Sequence, residues 1–551
     1  MKTDRKGVWP IRLGLLLLLG LWGQLPLPAT AQSATAAWQW ATRATSSATD
    51  PEDHSRGRFL AVDQQGNVFS SGHFYGSVAL GNTTLDSPKA YDSFLVKYTP
   101  TGSVAWVQHL NSSLQETILT GLAVDAGGNC YVGGYYVQGT LIIGSTVLTG
   151  GDGFLIKYDP QGAVVWVRTA GYFIRGLDCT PAGELVALGD FRGAAVFGST
   201  TLNSPTSSSF LVQYDPEGTP RWAQQLEGLA NDEGAVALDG AGHIYVASQF
   251  QDKATFGAIT LTGSTSDEDV FVARYTAAGV PEWALRQPVA GPAGDETVWG
   301  LTAHEAGGAY LVGVSYPPAG AARQWFVAQY TPAGVIGWNY GTTGTPNSAL
   351  TTLATDVAGH VYVAGIVAGS LSIGGLTLTS SSNTDADIAL FSFTGAGEKR
   401  WALQAGMATG TEAALGLALD RTDHFYFTGA LQGNTALGSV SSPQNSISEE
   451  HFVAKATVSS VTASHAPHLA QPLQIYPNPA GGTAVNLRWA GGGQLPAQLQ
   501  LQDALGRCLW AGTLPAGQTE TRLPVQHLAT GIYLLRLKTA TTTATGRLTI
   551  E

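Results

Sequence analysis

The stretch FLIKYDPQGAVVWV, residues 154–167, shows most clearly how this chain folds. Its first residues place Phe154 and Ile156 on one face of an extended backbone and Lys157 on the other, which is the period of a β-strand. The Asp-Pro-Gln-Gly sequence at 159–162 then has Asp, Pro and Gly at the positions that a type I turn favours. The alternation resumes after the turn. The stretch therefore predicts a β-hairpin.

The same hairpin sequence recurs along the chain. Copies lie at 94–107, 154–167, 210–223, 271–284, 326–339 and 389–402. A second motif precedes them, as in GLAVDAGGNCYVGGYYV at 121–137, and it also reads as two strands around a turn. Two hairpins per repeat predict four strands in each unit of about 60 residues.

A four-stranded unit with one buried face is not stable alone, so such units stack as the blades of a propeller. A seventh copy starts at Leu415, reaches HFVAKATVSS at 451–460 and stops before its tryptophan. The segment AAWQWATRA at 36–44 resembles KRWALQA around Trp401, so Trp40 would complete the last unit and remove exposed strand edges. The predicted fold is all-β, a seven-bladed β-propeller over residues 32–460 closed by an N-terminal strand.

One tryptophan occurs at the same place in each unit. Because a single ligand would need only a few of them, we predict that they pack one blade against the next, at roughly 5 kcal/mol gross for each buried ring. A carbohydrate or quinone site is the alternative. The predicted blade-packing residues are Trp40, Trp106, Trp166, Trp222, Trp283, Trp338 and Trp401.

Acidic residues stand near the start of the third strand in five units: Asp92, Asp152, Asp269, Asp387 and Glu450. Their expected role is hydrogen bonding in the turn and at the beginning of the strand. Calcium is the alternative where carboxylates cluster at 267–269 and 385–387, although neither has the spacing of a calcium-binding loop. His243, His360 and His424 share one turn position, where we expect them to stabilise the turn. We therefore predict no metal and no cofactor.

The N-terminus reads as a secretory signal peptide over residues 1–31. Basic residues precede the apolar run LGLLLLLGLW at 13–22, and the small-residue site Ala-Thr-Ala follows at 29–31. Ten helical residues span roughly 15 Å, about half of a bilayer core, so cleavage before Gln32 is favoured over a membrane anchor. No integral membrane segment is expected after cleavage.

The chain has 40 acidic and 28 basic residues and therefore a net charge of −12, so nucleic-acid binding is not expected.

The repeat pattern resembles a known family. Four short motifs follow one another in the repeat: apolar-Asp-x-x-Gly-Asn, Tyr-Val-x-Gly, Asp-x-Phe-x-x-Lys-Tyr and Gly-x-x-x-Trp. This order resembles that of the bacterial propeller repeats often named SBBP repeats. The resemblance covers residues 32–460. It implies a propeller fold and transfers no mechanism.

A linker rich in Ala, Pro and His at 461–472 precedes a second region at 473–551, whose alternating LQLQ and IYLLRL segments suit a small β-sandwich. An ordinary Ig-like β module is one interpretation. The region closely resembles the type IX secretion C-terminal sorting domain (type A) of Bacteroidota. That resemblance implies export through the periplasm to the outer cell surface or the medium, with the outer-membrane translocon and its sorting peptidase as partners. The residues that carry it are Tyr476, Pro477, Asn478, Pro479, Gly506, Gly531 and Tyr533.

The sequence contains no Gly-rich phosphate loop, H-E-x-x-H, G-x-S-x-G or metal-spaced Cys/His set. The favoured hypothesis is a non-enzymatic propeller, secreted or at the cell surface, that binds a glycan or protein ligand or acts as an adhesion scaffold. The alternative is a polysaccharide-active hydrolase or lyase, which needs carboxylates, Tyr or His converging at one channel mouth. Unit five, shortened around 315–318, is the predicted place of a groove.

Overall fold

The computed structural model describes residues 32–46, 54–288, 294–317, 323–380, 382–383, 385–406, 410–433, 436–437, 440–441, 448–460, 473–480, 482–488, 497–502, 508–515, 518–538 and 543–551. The predicted signal peptide, the predicted linker and Gly506 lie outside these residues. The chain divides into two compact bodies, Met1–Val461 and Thr462–Glu551, which we name the repeat body and the C-terminal domain. Every regular element in the described residues is a β-strand, so the predicted all-β class is confirmed.

Within the described residues, the repeat body is built of antiparallel groups of four strands, termed units 1 to 7 in chain order. The chain begins with β1 (Gln32–Arg43) and β2 (Thr45–Ser46). Unit 1 contains β3 (His54–Val62), β4 (Val68–Leu80), β5 (Thr83–Tyr98) and β6 (Val104–Leu110). Unit 2 contains β7 (Thr117–Val124), β8 (Cys130–Tyr136), a two-stranded arm of β9 (Thr140–Ile143) and β10 (Thr146–Thr149), β11 (Gly153–Tyr158) and β12 (Val164–Thr169). Unit 3 contains β13 (Phe173–Cys179), β14 (Leu185–Phe197), β15 (Thr200–Tyr214) and the first half of β16 (Pro220–Leu238).

The remaining units continue the same order. Unit 4 contains the second half of β16, β17 (Ile244–Phe256), β18 (Ile259–Thr262), β19 (Asp269–Tyr275) and β20 (Pro281–Arg286). Unit 5 contains β21 (Asp295–Ala303), β22 (Ala309–Tyr316), β23 (Gln324–Tyr330) and β24 (Ile336–Gly344). Unit 6 contains β25 (Ala349–Thr355), β26 (Val361–Val367), β27 (Ser370–Ile373), β28 (Leu376–Thr379), β29 (Asp387–Phe393) and β30 (Lys399–Ala405). Unit 7 contains β31 (Thr411–Leu419), β32 (His424–Gln432), β33 (Ala436–Leu437), β34 (Val440–Ser441) and β35 (Glu450–Ser460).

The fourth strand of unit 7 is β1, from the other end of the repeat body. It pairs antiparallel with β35, with Trp40 opposite Lys455 and Arg43 opposite Phe452. The backbone N–H of Ala44 continues this contact by donating to the carbonyl of His451 at 2.8 Å. The strand edge that β35 would otherwise expose is therefore paired, which removes a site for edge-to-edge association.

The first strands of successive units lie against one another. Contacts join β3 to β7, β7 to β13, β13 to β16, β16 to β21, β21 to β25 and β25 to β31. The series returns on itself, because β31 of unit 7 also contacts β3 of unit 1.

The hydrophobic core lies between neighbouring units. In β11, β19 and β29, all third strands, every residue is buried, because sheets pack on both of their faces. One core cluster joins Phe69 of unit 1 to Ile156 of unit 2, and another joins Val272 of unit 4 to Phe326 of unit 5. Each unit thus depends on its neighbours for burial of its apolar faces.

The C-terminal domain has two antiparallel sheets. The strands are β36 (Gln474–Tyr476), β37 (Ala484–Arg488), β38 (Ala497–Gln502), β39 (Cys508–Leu514), β40 (Glu520–Pro524), β41 (Gly531–Lys538) and β42 (Thr543–Ile550). One sheet has the order β36-β37-β40 and the other β39-β38-β41-β42. Val485 and Leu487 of the first sheet share a core with Leu499 and Leu535 of the second. The described residues contain no helix with the length and apolar character needed to cross a membrane.

Candidate functional site

The repeated tryptophans lie on fourth strands and contact the turn of the next unit. Trp106 donates its indole Nε1–H to the carbonyl of Pro160 at 3.2 Å, and Trp166 donates to that of Pro216 at 3.1 Å. The same contact recurs as Trp40–Pro100, Trp222–Ala277, Trp283–Pro332 and Trp338–Gly395, at 2.9 to 3.2 Å. Each indole therefore supplies both ring area and a hydrogen bond to its neighbour. The hydrogen bond was not predicted from the sequence.

A glycine in each of these turns makes the close contact possible. A Cβ at Gly102 would lie 2.7 Å from the Trp40 ring, and one at Gly162 would lie 2.9 Å from the Trp106 ring. Both glycines have positive φ, +85° and +87°, which side chains rarely adopt. Trp401 differs, because the third and fourth strands of unit 7 come from opposite ends of the repeat body and no short turn joins them. Its ring packs on Phe425, with ring centroids 6.2 Å apart.

The turns between first and second strands form what we name the turn end of the units. In unit 1, Asp63 Oδ1 accepts the backbone N–H groups of Gln65 and Asn67 at 2.9 and 2.8 Å. In unit 7, burial favours the neutral form of Asp420, but hydrogen bonds from Thr422 and His424 outweigh it and lower the pKa of this carboxyl to about 2. Such turns satisfy their own polar groups.

The turn histidines bind within their own turns. The Nδ1 atom of His243 lies 3.1 Å from Asp239, that of His360 lies 2.7 Å from Asp356, and that of His424 lies 2.8 Å from Asp420.

Turns of units 1, 5, 6 and 7 also line a cavity of about 450 Å³, to which His304 and His424 both contribute. His304 replaces the turn aspartate in unit 5, and its Nε2 is buried without a hydrogen-bond partner in the described structure.

The opposite end of the first strands is irregular. In units 1, 2, 3, 5, 6 and 7 the pairing register shifts by one residue, a β-bulge. The bulged residues are Arg58, Thr120, Arg175, Trp299, Thr351 and Leu415. A bulge turns a side chain away from the normal alternation, and such sites are common beside functional surfaces. The bulges were not predicted from the sequence.

Exposed aromatic side chains lie in or just before first and third strands of three units. Tyr91, Tyr172 and Trp299 are 38%, 40% and 45% exposed. Arg58 of unit 1 lies 3.9 Å from Glu233 of unit 4, so side chains of two non-adjacent units meet. We name the set the strand-start surface; its members are Arg58, Tyr91, Tyr135, Tyr172, Phe173, Glu233 and Trp299.

Ring contacts connect parts of this surface. The ring centroid of Phe173 lies 4.4 Å from those of both Tyr135 and Tyr172. The centroid of Tyr91 lies 5.7 Å from that of His73. Burial, together with the positive charges of Arg56 and Arg58, lowers the pKa of His73 to about 4, so this imidazole is neutral at pH 7.

The carboxylates at the third-strand starts bind side chains on the neighbouring fourth strands. Asp92 lies 2.8 Å from His109 Nε2, and Asp269 accepts a hydrogen bond from Arg286 at 2.6 Å. Asp387 accepts from Gln404 at 2.7 Å, and Glu450 pairs with Arg43. Asp152 is half-buried, and this partial burial raises the pKa of its carboxyl. The described residues contain no group of three or more His, Cys, Asp or Glu side chains arranged to hold a metal ion.

The predicted groove region of unit 5 is only partly described, since Pro318 lies outside the described residues. Ser315 is buried, and the guanidinium of Arg323 lies 5.3 Å from the Tyr316 ring centroid. The larger feature of unit 5 is the exposed Trp299, whose ring centroid lies 5.3 Å from that of Trp325. Trp299 was not identified from the sequence.

The motif residues of the C-terminal domain lie around β41 and β42. The side chain of Asn478 donates to the carbonyl of Arg547 at 2.6 Å and accepts from the N–H of Thr549 at 2.9 Å, so it extends the pairing edge of β42. Tyr533 donates its hydroxyl to the carbonyl of Ala529 at 2.7 Å. Gly531 begins β41 and pairs with Ile550.

Comparison with protein families identifies this C-terminal region. Residues 474–551 match the family described as the secretion system C-terminal sorting domain. The chain therefore ends in a type IX sorting domain, as in Bacteroidota, and is exported to the cell surface or secreted. This domain implies interaction with the type IX secretion machinery. No curated protein matches the chain significantly.

Solved structures show only distant similarity. A protein of unknown function from Dyadobacter fermentans is 10% identical, with 76% of this chain and 99% of that chain covered and a TM-score of 0.32. A protein of unknown function from Bacteroides caccae is 10% identical over 56% of this chain and 89% of that one, with a TM-score of 0.32. A Synechocystis apocarotenoid oxygenase mutant is 10% identical over 76% and 96%, with a TM-score of 0.34. Scores this low support no inference about fold or function.

Proposed function

We propose that units 1 to 7 close into a seven-bladed β-propeller of the SBBP type, which serves outside the cell as a non-enzymatic binding or adhesion scaffold. Two observations support closure. First strands contact one another in sequence and β31 contacts β3, while β1 supplies the fourth strand of unit 7. The tryptophan–turn hydrogen bonds hold neighbouring units in a fixed relation, and such rigidity favours a binding scaffold.

The observation that carries the binding role is the strand-start surface. Large apolar side chains that stay exposed together in a patch with a polar rim mark binding surfaces. Here Tyr172 and Trp299 stay exposed although neighbouring strands bury most rings of the repeat body. Since the sorting domain delivers the chain to the cell exterior, the ligands available to this surface are glycans and extracellular proteins.

A polysaccharide-active enzyme is the second candidate, favoured by Glu296. Burial raises the pKa of this carboxyl to about 7, and the neighbouring Asp269 adds to the rise. One of its oxygens accepts the backbone N–H of Val270 at 3.1 Å. A carboxylic acid that holds its proton near neutral pH suits general acid catalysis of glycoside cleavage.

Binding and turnover assays on the full secreted chain separate the two candidates. The labelled protein is applied to a glycan array and to a panel of extracellular matrix proteins, and a reducing-end and unsaturation assay follows turnover on soluble polysaccharides. Saturable binding without turnover is expected. Turnover that Glu296→Gln abolishes would establish the enzyme instead, and absence of binding on both panels would refute the scaffold.

A further inference from the structure

We propose that the cavity at the turn end binds a small sugar acid, with the ammonium of Lys455 on the single carboxylate of the ligand. The cavity, which we name the turn-end cavity, has a volume of about 450 Å³ and is lined by turns of units 1, 5, 6 and 7. This volume is within the range of small-molecule sites. The proposed function depends on the strand-start surface, so this second site goes beyond it.

Lys455 lacks a contact that two equivalent lysines make. In three units a lysine of the third strand is the register partner of the repeated tryptophan, namely Lys97–Trp106, Lys157–Trp166 and Lys455–Trp40. Lys97 donates to the carbonyl of Pro160 and Lys157 to that of Pro216, both at 2.9 Å. Lys455 makes no hydrogen bond or ion pair with any residue that the structure describes. This departure from the repeat leaves its three N–H donors unused.

The position of Lys455 makes an unpaired charge costly. The side chain is only 9% exposed, and its ammonium lies over the ring of Tyr426, 5.2 Å from the centroid. Lys455 also lines the turn-end cavity. Because burying a charge without hydrogen bonds costs free energy, the ammonium favours an anionic group that enters the cavity.

The turn aspartates of the lining are already occupied by donors of their own units. These aspartates are Asp63, Asp356 and Asp420. Asp356 accepts the backbone N–H of His360 and the hydroxyl of Tyr362, both at 2.8 Å. Asp420 accepts the hydroxyl of Tyr426 at 2.9 Å in addition to the donors of its turn. Carboxylates that are bound in this way leave little acceptor capacity for a cationic ligand.

The other charged groups of the lining bind each other. Arg421 of unit 7 donates to Glu305 of unit 5 at 2.9 Å, and both side chains are more than half exposed. The hydrogen-bonding capacity that remains unused in the lining therefore lies chiefly in donors. An oxygen acceptor on the ligand fills it.

His304 adds a second unused donor to the lining. Its Nδ1 accepts the backbone N–H of Ala306 at 3.2 Å, so Nε2 carries the proton of the neutral ring. Nε2 is buried and has no partner among the residues that the structure describes. It lies at the junction with unit 6, since a Cβ at Gly359 would be 3.6 Å from it.

The charges of the lining limit the ligand to one negative charge. The charged residues are Asp63, Glu305, Asp356, Asp420, Arg421 and Lys455, and two histidines, His304 and His424, complete the titratable groups. Carboxylates thus outnumber cations, and this excess repels a dianion such as phosphate more strongly than a monocarboxylate. The hydroxyl groups of a sugar acid can bind Gln64, Gln65 and Thr422, which line the same cavity.

The test is isothermal titration calorimetry of the full secreted chain with galacturonate and glucuronate. Galactose, galactosamine, inorganic phosphate and acetate serve as the neutral, cationic, dianionic and sugar-free probes, and trigalacturonate distinguishes the end of an acidic chain from the free acid. Lys455→Met should raise the Kd for the uronate about tenfold. Lys157→Met is the matched control, because Lys157 is equally buried but belongs to unit 2, whose turns are not part of the cavity lining.

Glu305→Gln tests the charge of the cavity with an effect of opposite sign. It removes one negative charge from the lining and frees the Arg421 guanidinium, so the Kd for the uronate should fall about twofold. Melting temperatures verify folding of each variant. Because Glu305 is exposed, this variant also provides a test if Lys455→Met does not fold.

The expected result is saturable binding of a uronate or of trigalacturonate that Lys455→Met weakens, Glu305→Gln strengthens and Lys157→Met leaves unchanged. Binding of galactose or acetate as tight as that of the uronate would overturn the ligand class, as would tighter binding of phosphate or galactosamine. Uronate binding that neither Lys455→Met nor Glu305→Gln alters would overturn the assigned cavity. Absence of saturable binding to every acid would overturn the inference and leave the proposed function of the strand-start surface standing.

Discussion

The two ends of the repeat units differ in how they use their polar and aromatic residues. At the turn end, carboxylates such as Asp63 and Asp420 bind the backbone and side chains of their own turns. At the other end, Arg58 and Trp299 lie at bulges of their strands and are exposed. The regular end holds the units together, whereas the irregular end differs from unit to unit. Departures from the repeat therefore mark the surface that is free to acquire a specific function.

Removing β1 should have the largest effect on this arrangement. Deletion of residues 32–46 takes the fourth strand from unit 7 together with the Trp40–Pro100 hydrogen bond. Because folded domains are stable by only about 5–15 kcal/mol, we expect the repeat body to lose its cooperative unfolding transition. Differential scanning calorimetry measures this.

The control for that deletion removes the other end of the chain. A variant lacking residues 473–551 should keep the calorimetric transition of the repeat body and accumulate in the periplasm, because it lacks the sorting domain. A deletion of 32–46 that leaves the melting temperature at the parent value would show that β1 is dispensable for closure.

A pair of tryptophan substitutions sharpens the comparison between the ends. Trp166 is buried and donates to Pro216, so Trp166→Ala should cost about 3–5 kcal/mol of unfolding free energy. Trp299 is 45% exposed, so Trp299→Ala should change it by only about 0.5 kcal/mol. Chemical denaturation measures both values. Equal losses would mean that Trp299 is a packing residue and not part of a binding surface.

The pH dependence of stability should differ in sign between the two ends. The pKa of Asp420 is lowered to about 2, so its stabilising contribution is fully present above its unfolded pKa near 3.8 and is lost as the pH falls through 2. The pKa of Glu296 is raised to about 7, so stability falls as the pH rises from 4.5 to 7.

Two conservative variants isolate these contributions. Glu296→Gln should gain stability relative to the parent between pH 4 and pH 8, and Asp420→Asn should lose most above pH 4 and progressively less towards pH 2. Denaturation midpoints across this pH range provide the measurement. A Glu296→Gln difference that does not change with pH would contradict the raised pKa of Glu296.

Much of this architecture could be predicted because the repeat makes its signals redundant. The turn sequence Asp-Pro-Gln-Gly and the alternation around it predicted the β11–β12 hairpin, in which Gly162 N–H donates to the carbonyl of Asp159. The similarity between 36–44 and the sequence around Trp401 predicted a partner for β35, and β1 pairs with that strand.

The strand-start surface could not be predicted in the same way. A bulge at Arg58 or Trp299 adds one residue to the strand without a distinctive residue at that position, since the bulged residues include Arg, Thr, Trp and Leu. The meeting of Arg58 with Glu233 also joins residues that are far apart in sequence, and local periodicity carries no information about such pairs.

The central claim is that the first strand of the repeat body completes the last unit, and a disulfide scan tests it directly. Ala41 and Ala454 are register partners across β1 and β35, so the variant Ala41→Cys/Ala454→Cys should form a disulfide during oxidative folding. Ala37→Cys/Ala454→Cys is the control, because Ala37 pairs with Thr457 instead. Mass spectrometry of the unreduced digest should find residues 41 and 454 in one linked peptide pair and no link in the control. Free thiols at both positions of the first variant, in a protein with the parent's melting temperature, would contradict the account.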